Sequence, residues 1–166
     1  AWLTDYEKSG FKKTPRYKET MDYCRRLEKA SHWIHVTSIG KSPEGRDIPL
    51  VIASNDGAFD PVKGMKTGKA ILLIQNGIHA GEIDGKDACL MLLRDIAITK
   101  SKAALLDHVI LLIIPMYNVD GHERFGRYNR INQVGPEEMG WRVTAQNLNL
   151  NRDYMKADAP ETQAWL

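Results

Sequence analysis

The sequence lacks most of the features that mark specialised classes of protein. Its two cysteines, Cys24 and Cys89, are too few for a disulfide framework and too far apart for a thiolate zinc site, and the sequence leaves open whether they pair or stay free. The 23 basic and 21 acidic residues give a net charge of +2, without the basic excess of a nucleic-acid-binding protein. No apolar run approaches the roughly 18 residues that cross a bilayer, and the first ten residues do not have the pattern of a signal peptide. We therefore expect no nucleic-acid partner and no membrane partner.

The chain does contain enough apolar residues for one folded domain. A hydrophobic content of 43% in 166 residues supports a sizeable core, and this length is typical of a single domain or a large part of one. No internal repeat, low-complexity tract or linker divides the sequence. We expect residues 1–166 to form one unit.

Two continuous apolar runs predict the centre of the fold. AILLIQN at 70–76 and HVILLIIPMYN at 108–118 have the length of strands and no polar alternation, which is typical of strands covered on both faces. Residues 84–99 between them have apolar side chains at helical spacing, so the order of strand, helix and strand predicts a right-handed parallel crossover. Turn residues at 43–45 lie between two further apolar segments and predict a hairpin. The predicted fold class is α/β, with a mixed, largely parallel central sheet flanked by helices.

Both ends of the chain carry helix signals. Thr14 and Pro15 have the residue types of an N-cap and a first helical position, and apolar residues at helical spacing follow them. Near the other end, Asp158 as an N-cap and Glu161 three residues later form a capping-box pattern. Just before that helix, polar and apolar residues alternate at 147–153, which predicts a strand.

The ends of the two central strands locate a candidate site. In open α/β sheets, ligands bind beyond the carboxyl ends of parallel strands. His79 and Glu82 follow the first apolar run, and NVDG at 118–121 follows the second. Zinc binds imidazole nitrogen and carboxylate oxygen, and catalytic zinc sites use three protein ligands and leave a fourth position for water. His79 and Glu82 are therefore candidates for two zinc ligands, against the alternative of a chance surface pair.

Neighbouring residues fit a turn around these two candidates. Gly77 and Gly81 allow the backbone to turn and aim both side chains inward. Asp84 is expected to cap the following helix. His122 also lies close to the presumed rim, but a packing or surface role is favoured for it.

Several arginines follow the second strand and are candidate anion-binding groups. Arg152, next to Asn151, offers a two-pronged partner for a substrate carboxylate, and a surface salt bridge with a turn role for the asparagine is the alternative. Arg127, Arg130 and Arg142 either form a solvated basic face or include one group that stabilises a developing oxyanion.

Four motifs in this order, HAGE (79–82), NVDG (118–121), RIN (130–132) and NLNRDY (149–154), resemble those of the zinc metallocarboxypeptidase family of carboxypeptidase A. The resemblance begins at IGKSPEGRDIPLVIAS, near residue 39, and runs to the end of the chain. It implies a zinc-carboxypeptidase-like fold and Zn2+ as the cofactor. The implied substrate is a peptide or an N-acyl amino acid with a free carboxylate.

The resemblance also implies roles for individual residues. His79 and Glu82 match the first two zinc ligands of the family, and Asn151 with Arg152 match the pair that binds the terminal carboxylate of the substrate. Arg130 is our choice for the arginine that polarises the scissile carbonyl. The implied activity is removal of C-terminal residues from peptides by metal-activated water.

The match to the family has departures and gaps. Arg127 is the alternative to Arg130, because the segment that leads to NLNRDY is longer than in the compact members. NVDG and NRDY differ from the commoner NPDG and NRNF, which affects substrate preference more than metal binding. The third zinc ligand and the general base of the family lie well downstream and have no counterpart before Leu166. We therefore expect residues 1–166 to be the N-terminal portion of a single catalytic domain, inactive on its own.

Two other functions stay open at this point. One is a related zinc amidohydrolase that removes acyl groups from amino-acid derivatives, and the other is a module that binds carboxylates without catalysis. The family resemblance also implies a secreted or periplasmic location.

Overall fold

A four-stranded mixed sheet in the order β1-β2-β4-β3 forms the centre of the computed structural model, which describes residues 1–166. The sheet strands are β1 (Ile34–Lys41), β2 (Asp47–Ala53), β3 (Ala70–Gln75) and β4 (Val109–Ile114). The α-helices are α1 (Asp5–Lys8), α2 (Tyr17–Ala30), α3 (Pro61–Lys66), α4 (Asp84–Ala97), α5 (Val119–Glu123) and α6 (Pro160–Trp165). A small ribbon joins β5 (Gly126–Arg127) to β6 (Glu138–Met139), and 3-10 helices cover Ala103–Asp107 and Leu150–Arg152.

The strand pairings confirm the predicted α/β class and correct its details. β1 and β2 form the expected antiparallel hairpin. β3 and β4 pair in parallel and are joined through α4, as the strand, helix and strand pattern predicted. β2 pairs antiparallel with β4. Only one of the three pairings is therefore parallel, so the sheet is mixed but less parallel than we predicted.

The two apolar runs differ in their surroundings. β4 lies inside the sheet, and four of its six side chains are buried. β3 lies at the edge, where Ile71, Leu72 and Leu73 are 49%, 49% and 40% exposed. The prediction of strands covered on both faces is confirmed for β4 and wrong for β3, because β3 has a neighbouring strand on one side only.

The main core lies between the sheet and the two longest helices. α2 and α4, of 14 residues each, contribute Cys24, Leu27, Leu90 and Leu93 to a buried cluster with side chains of β2 and β4. Cys89 belongs to the same cluster, and both cysteines are free thiols. None of the helices combines the length and the apolar character needed to cross a membrane.

The predicted start of the first long helix is wrong by two residues. α2 begins at Tyr17, and its N-cap, Arg16, makes no side-chain capping bond. Thr14 is buried before the helix and donates its hydroxyl to Asp87 Oδ2 at 2.8 Å. A contact with a distant helix has therefore replaced the local capping role.

Two predictions near the end of the chain are also wrong. Residues 147–153 form no strand, and their alternation instead leaves Leu150 buried in a 3-10 helix. The helix α6 has Ala159 as its N-cap, so Asp158 does not cap it. Asp153 takes that place, because its carboxylate accepts the backbone N–H groups of Asp158 and Ala159 at 3.0 and 2.9 Å.

Candidate metal centre

His79 and Glu82 lie in the turn that follows the carboxyl end of β3. The backbone N–H of Glu82 donates to the carbonyl oxygen of His79 at 2.9 Å, which closes the turn. This closure brings the two side chains to the same side, where His79 Nδ1 lies 3.1 Å from Glu82 Oε1. His79 is 6% exposed, whereas the Glu82 side chain is 44% exposed. The turn therefore presents one buried nitrogen and one accessible carboxylate at one point.

The geometry of this pair fits two corners of a zinc site. Two ligand atoms bound at about 2.1 Å to one tetrahedral ion stand roughly 3.4 Å apart, close to the 3.1 Å between His79 Nδ1 and Glu82 Oε1. The other ring nitrogen of His79, Nε2, is buried without a hydrogen-bond partner, although the second nitrogen of a ligating histidine normally has one. No group of three His, Cys, Asp or Glu side chains converges within residues 1–166. The turn thus brings together two side chains of the types that bind zinc.

The helix after the turn starts differently from our prediction. Asp84 is the first residue of α4, and Ile83 is the N-cap without a side-chain capping bond. The expected capping role of Asp84 is therefore wrong. Its carboxylate still lies in the first turn of α4, where a negative charge is favourable to the helix dipole.

Arg130 is the predicted arginine that the structure places against the turn at 79–82, here named the metal-ligand turn after its two candidate ligands. Its Nη1 lies 2.8 Å from Glu82 Oε1, and the Arg130 side chain is 15% exposed. Arg127 lies in the β5–β6 ribbon and pairs with Glu137 instead. Arg142 has no ion pair, and with Arg130 it lines a cavity of about 490 Å³.

The NVDG motif has an anchoring role. Asn118 and Asp120 are fully buried in or next to α5. Asn118 accepts the backbone N–H of Gly121 at 2.9 Å and donates to the carbonyl of Arg142 at 3.1 Å. Asp120 accepts from Ser42 and Arg46 in the β1–β2 turn. The motif therefore joins the hairpin and the Arg142 segment behind the candidate site, and its polar side chains do not face the rim.

Three glycines allow chain segments to lie in contact behind the turn. A Cβ atom on Gly81 would lie 2.5 Å from Arg130 Cγ and 2.8 Å from the carbonyl oxygen of Gly140. A Cβ on Gly140 would lie 2.7 Å from the Cα of His122. Gly121 is enclosed in the same way by main-chain oxygens. We call this arrangement of Gly81, Gly121 and Gly140 the glycine stack.

Asn151 and Arg152 lie in the Leu150–Arg152 3-10 helix, and both are exposed. Neither makes an ion pair, and Arg152 Nη1 donates to the carbonyl of Asn151 at 2.8 Å. Tyr154 fixes this segment to the end of β3, because its hydroxyl donates to Gln75 Oε1 at 2.7 Å. Asn151 and Arg152 are therefore held near the carboxyl end of β3, which leads into the metal-ligand turn, but they do not contact His79 or Glu82.

Sequence reasoning missed a buried polar cluster behind α4. Lys86 is 1% exposed, and its ammonium donates to the carbonyl of Pro15 and lies 3.0 Å from His122 Nε2. Burial lowers the pKa of Lys86 to about 8, and burial together with the Lys86 charge lowers the pKa of His122 to about 4. His122 also contacts Glu123 at 3.1 Å. The apolar spacing of α4 contained a signal for this cluster, since Lys86 lies three and seven residues before Cys89 and Leu93 on the buried face.

Comparisons with known proteins identify the family of the chain. The family model described as zinc carboxypeptidase matches residues 20–164. Carboxypeptidase 2 of Trichophyton rubrum is 32% identical over 152 residues, which cover 90% of this chain and 25% of that protein. The chain thus spans about a quarter of the length of the curated relatives it matches.

Solved structures show the same fold. Carboxypeptidase A from Helicoverpa armigera superposes with a TM-score of 0.68 at 21% identity, and the match covers 93% of this chain and 42% of that one. A metallo-carboxypeptidase from Burkholderia cenocepacia gives a TM-score of 0.66 at 20% identity, covering 90% of this chain and 36% of the other.

Proposed function

Since the chain belongs to the zinc carboxypeptidase family, we propose that it forms the N-terminal portion of the catalytic domain of a zinc-dependent carboxypeptidase. The activity would be hydrolysis of the C-terminal peptide bond by metal-activated water. The observation that carries this proposal is the convergence of His79 Nδ1 and Glu82 Oε1, 3.1 Å apart, beyond the carboxyl end of β3. A parallel strand ending at such a turn is where α/β folds bind their ligands.

His79 and Glu82 would hold the metal. A zinc ion bound there would lower the pKa of its water toward about 7 and polarise a carbonyl group. The third ligand and the general base would come from outside residues 1–166, because no further His, Cys, Asp or Glu joins this pair. We therefore expect the chain alone to bind zinc weakly and to be inactive.

Arg130 would stabilise the oxyanion of the tetrahedral intermediate. Its guanidinium lies beside Glu82, so its positive charge would lie close to a carbonyl group polarised by the metal. Arg142 is a competing candidate, because its guanidinium has no ion pair and its backbone is held by Asn118. Arg127 is the weaker alternative, since its ion pair is with Glu137 in the β5–β6 ribbon and not with Glu82.

Asn151 and Arg152 would bind the terminal carboxylate of the substrate and so select a chain end. Both side chains are exposed near the carboxyl end of β3, which leads into the metal-ligand turn. An arginine without an ion-pair partner can offer both guanidinium nitrogens to a carboxylate. The substrate would be a peptide or, if the protein is a related amidohydrolase, an N-acyl amino acid. A secreted or periplasmic location is part of the proposal on the family resemblance alone.

The test is zinc binding and peptidase activity of this chain beside a longer polypeptide that contains it. The longer protein should bind about one zinc and release C-terminal residues, and His79→Ala and Glu82→Ala should each abolish both properties. His108→Ala, at an exposed histidine, is the matched control and should change neither. A longer protein that ignores zinc would favour a carboxylate-binding module without catalysis.

A further inference from the structure

A loop that crosses the metal-ligand turn has a role that the proposed function does not assign. We propose that residues 126–139, here named the clamp loop, hold the metal-ligand turn in place, and that Gln133 is the positioning residue of the clamp. This inference rests on the proposed function, because it concerns how Glu82 is held ready for a metal.

The clamp loop is closed at its base. Gly126 pairs with Met139 and Arg127 pairs with Glu138 in the β5–β6 ribbon. Asn129 adds a second closure, since its Nδ2 donates to the carbonyls of Met139 at 2.8 Å and of Arg124 at 2.9 Å. A loop with a fixed base delivers its tip to one place on the molecule.

Two polar contacts bind the tip to the metal-ligand turn. Gln133 Nε2 donates to the carbonyl oxygen of Gly81 at 3.0 Å. Arg130 Nη1 pairs with Glu82 Oε1 at 2.8 Å. Gly81 is the residue just before Glu82, so the first contact fixes the peptide that carries the ligand and the second fixes its carboxylate.

The turn is shaped to accept this loop. A side chain at Gly81 would collide with Arg130, because its Cβ would lie 2.5 Å from Arg130 Cγ. Gly81 does not have a positive φ, so its backbone conformation does not demand glycine. The close approach of the clamp loop, together with Gly140, is therefore the reason for a glycine inside the HAGE motif.

Apolar burial does not hold the tip in position. Ile131 is 89% exposed, and Val134 is fully exposed. Gln133 is partly buried between them and also donates to the carbonyl of Gly135 at 3.0 Å. Without the Gln133 and Arg130 contacts, little would keep this tip against the turn.

Gln133 is the better probe of the two contacts. Substituting Arg130 removes a positive charge next to a metal ligand, which by itself changes the attraction of the site for a cation. Gln133 is neutral, so its loss tests positioning alone. Residues that orient a metal ligand without touching the metal typically change metal affinity by about 10- to 100-fold when mutated.

The experiment compares Gln133→Ala and Gln133→Met with wild type, using the 166-residue chain. Gln133→Met keeps most of the side-chain volume but cannot donate a hydrogen bond. The matched control is Gln146→Ala, an exposed glutamine with no side-chain hydrogen bond among those of the structure. Hydrogen exchange of amides 128–135 reports the loop, and Zn2+ titration followed by NMR of the His79 imidazole reports the site.

The expected result is faster exchange of the loop amides and a Zn2+ affinity at least about 10-fold lower in both Gln133 variants, with Gln146→Ala unchanged. Faster exchange with unchanged affinity would overturn the positioning role, and unchanged exchange would overturn the clamp itself. If His79→Ala and Glu82→Ala titrate like wild type, the metal site is absent and the proposed function fails together with the positioning role. The exchange measurement needs no metal, so the two failures are distinguishable.

Discussion

Asp120 provides a direct test of the anchoring role of the NVDG motif. This carboxylate is fully buried and accepts hydrogen bonds from Ser42 Oγ at 2.8 Å, the Glu44 N–H at 3.1 Å and Arg46 Nη1 at 2.7 Å. Asp120→Ala removes the acceptor of all three donors. Removing one partner of a buried ion pair costs about 3–5 kcal/mol. The Arg46 side chain is 31% exposed and recovers part of its hydration, so we expect the lower limit, about 3 kcal/mol.

Urea denaturation and thermal unfolding measure this change. A loss of about 3 kcal/mol should lower Tm by roughly 6–12 °C for a domain of this size. Glu44→Ala is the matched control, because it removes the other ion-pair partner of Arg46 and keeps the Glu44 N–H that Asp120 accepts. That pair is partly exposed, so its loss should cost less than about 1 kcal/mol. If Asp120→Ala is as stable as Glu44→Ala, the anchoring role of the motif is refuted.

Other predictions concern the buried histidine, the edge strand and the docking of α6. Burial and the Lys86 charge lower the pKa of His122 to about 4. The free energy of unfolding should therefore be highest above pH 6.5 and fall by about 3 kcal/mol as the pH is lowered to 4, because the imidazole binds a proton at higher pH in the unfolded chain than in the folded one. Urea denaturation at pH 7 and pH 4.5 should show most of this fall in wild type and much less of it in His122→Gln. Leu72→Lys puts a charge on the exposed edge strand β3 and should reduce self-association of the 166-residue chain, measured by light scattering. Equal self-association of the variant and wild type would show that β3 is not the strand through which copies associate. Gly40→Ala places a Cβ 2.6 Å from Ala164 Cβ and should lower the free energy of unfolding by about 1–3 kcal/mol. If the collision causes this loss, adding Ala164→Gly to the same chain should recover most of the stability.

The parts of the fold that the sequence predicted are those controlled by local pattern. The apolar runs of β3 and β4 and the helical spacing of α4 depend on residues close together in the chain, so the parallel crossover followed from them. The position of His79 and Glu82 followed as well, because a turn after a strand must emerge at the end of the sheet. The exposure of β3 did not follow, since strand order is set by long-range pairing.

The parts that failed depend on contacts between distant residues. Thr14 has the residue type of a helix cap, yet it bonds to Asp87, 73 positions away. Lys86 received no role from the sequence, yet it is buried against Pro15, 71 positions away. The contact between Arg130 and Glu82 likewise joins residues that no local periodicity relates. Local pattern can indicate that such a residue is buried, but it does not identify the distant partner.

The glycine stack divides the candidate site into a side that tolerates variation and a side that does not. Behind the turn, the Cβ position of each of Gly81, Gly121 and Gly140 lies within 3 Å of a main-chain oxygen, so there is no room for a methyl group. These contacts with main-chain oxygens do not depend on the neighbouring side chains, and the contact of Gly81 with the Arg130 side chain adds to them. In front, Ile131 and Val134 of the clamp loop present exposed side chains to which no role at the site is assigned. Variation during divergence is therefore expected at these two positions, in front of a wall that stays the same.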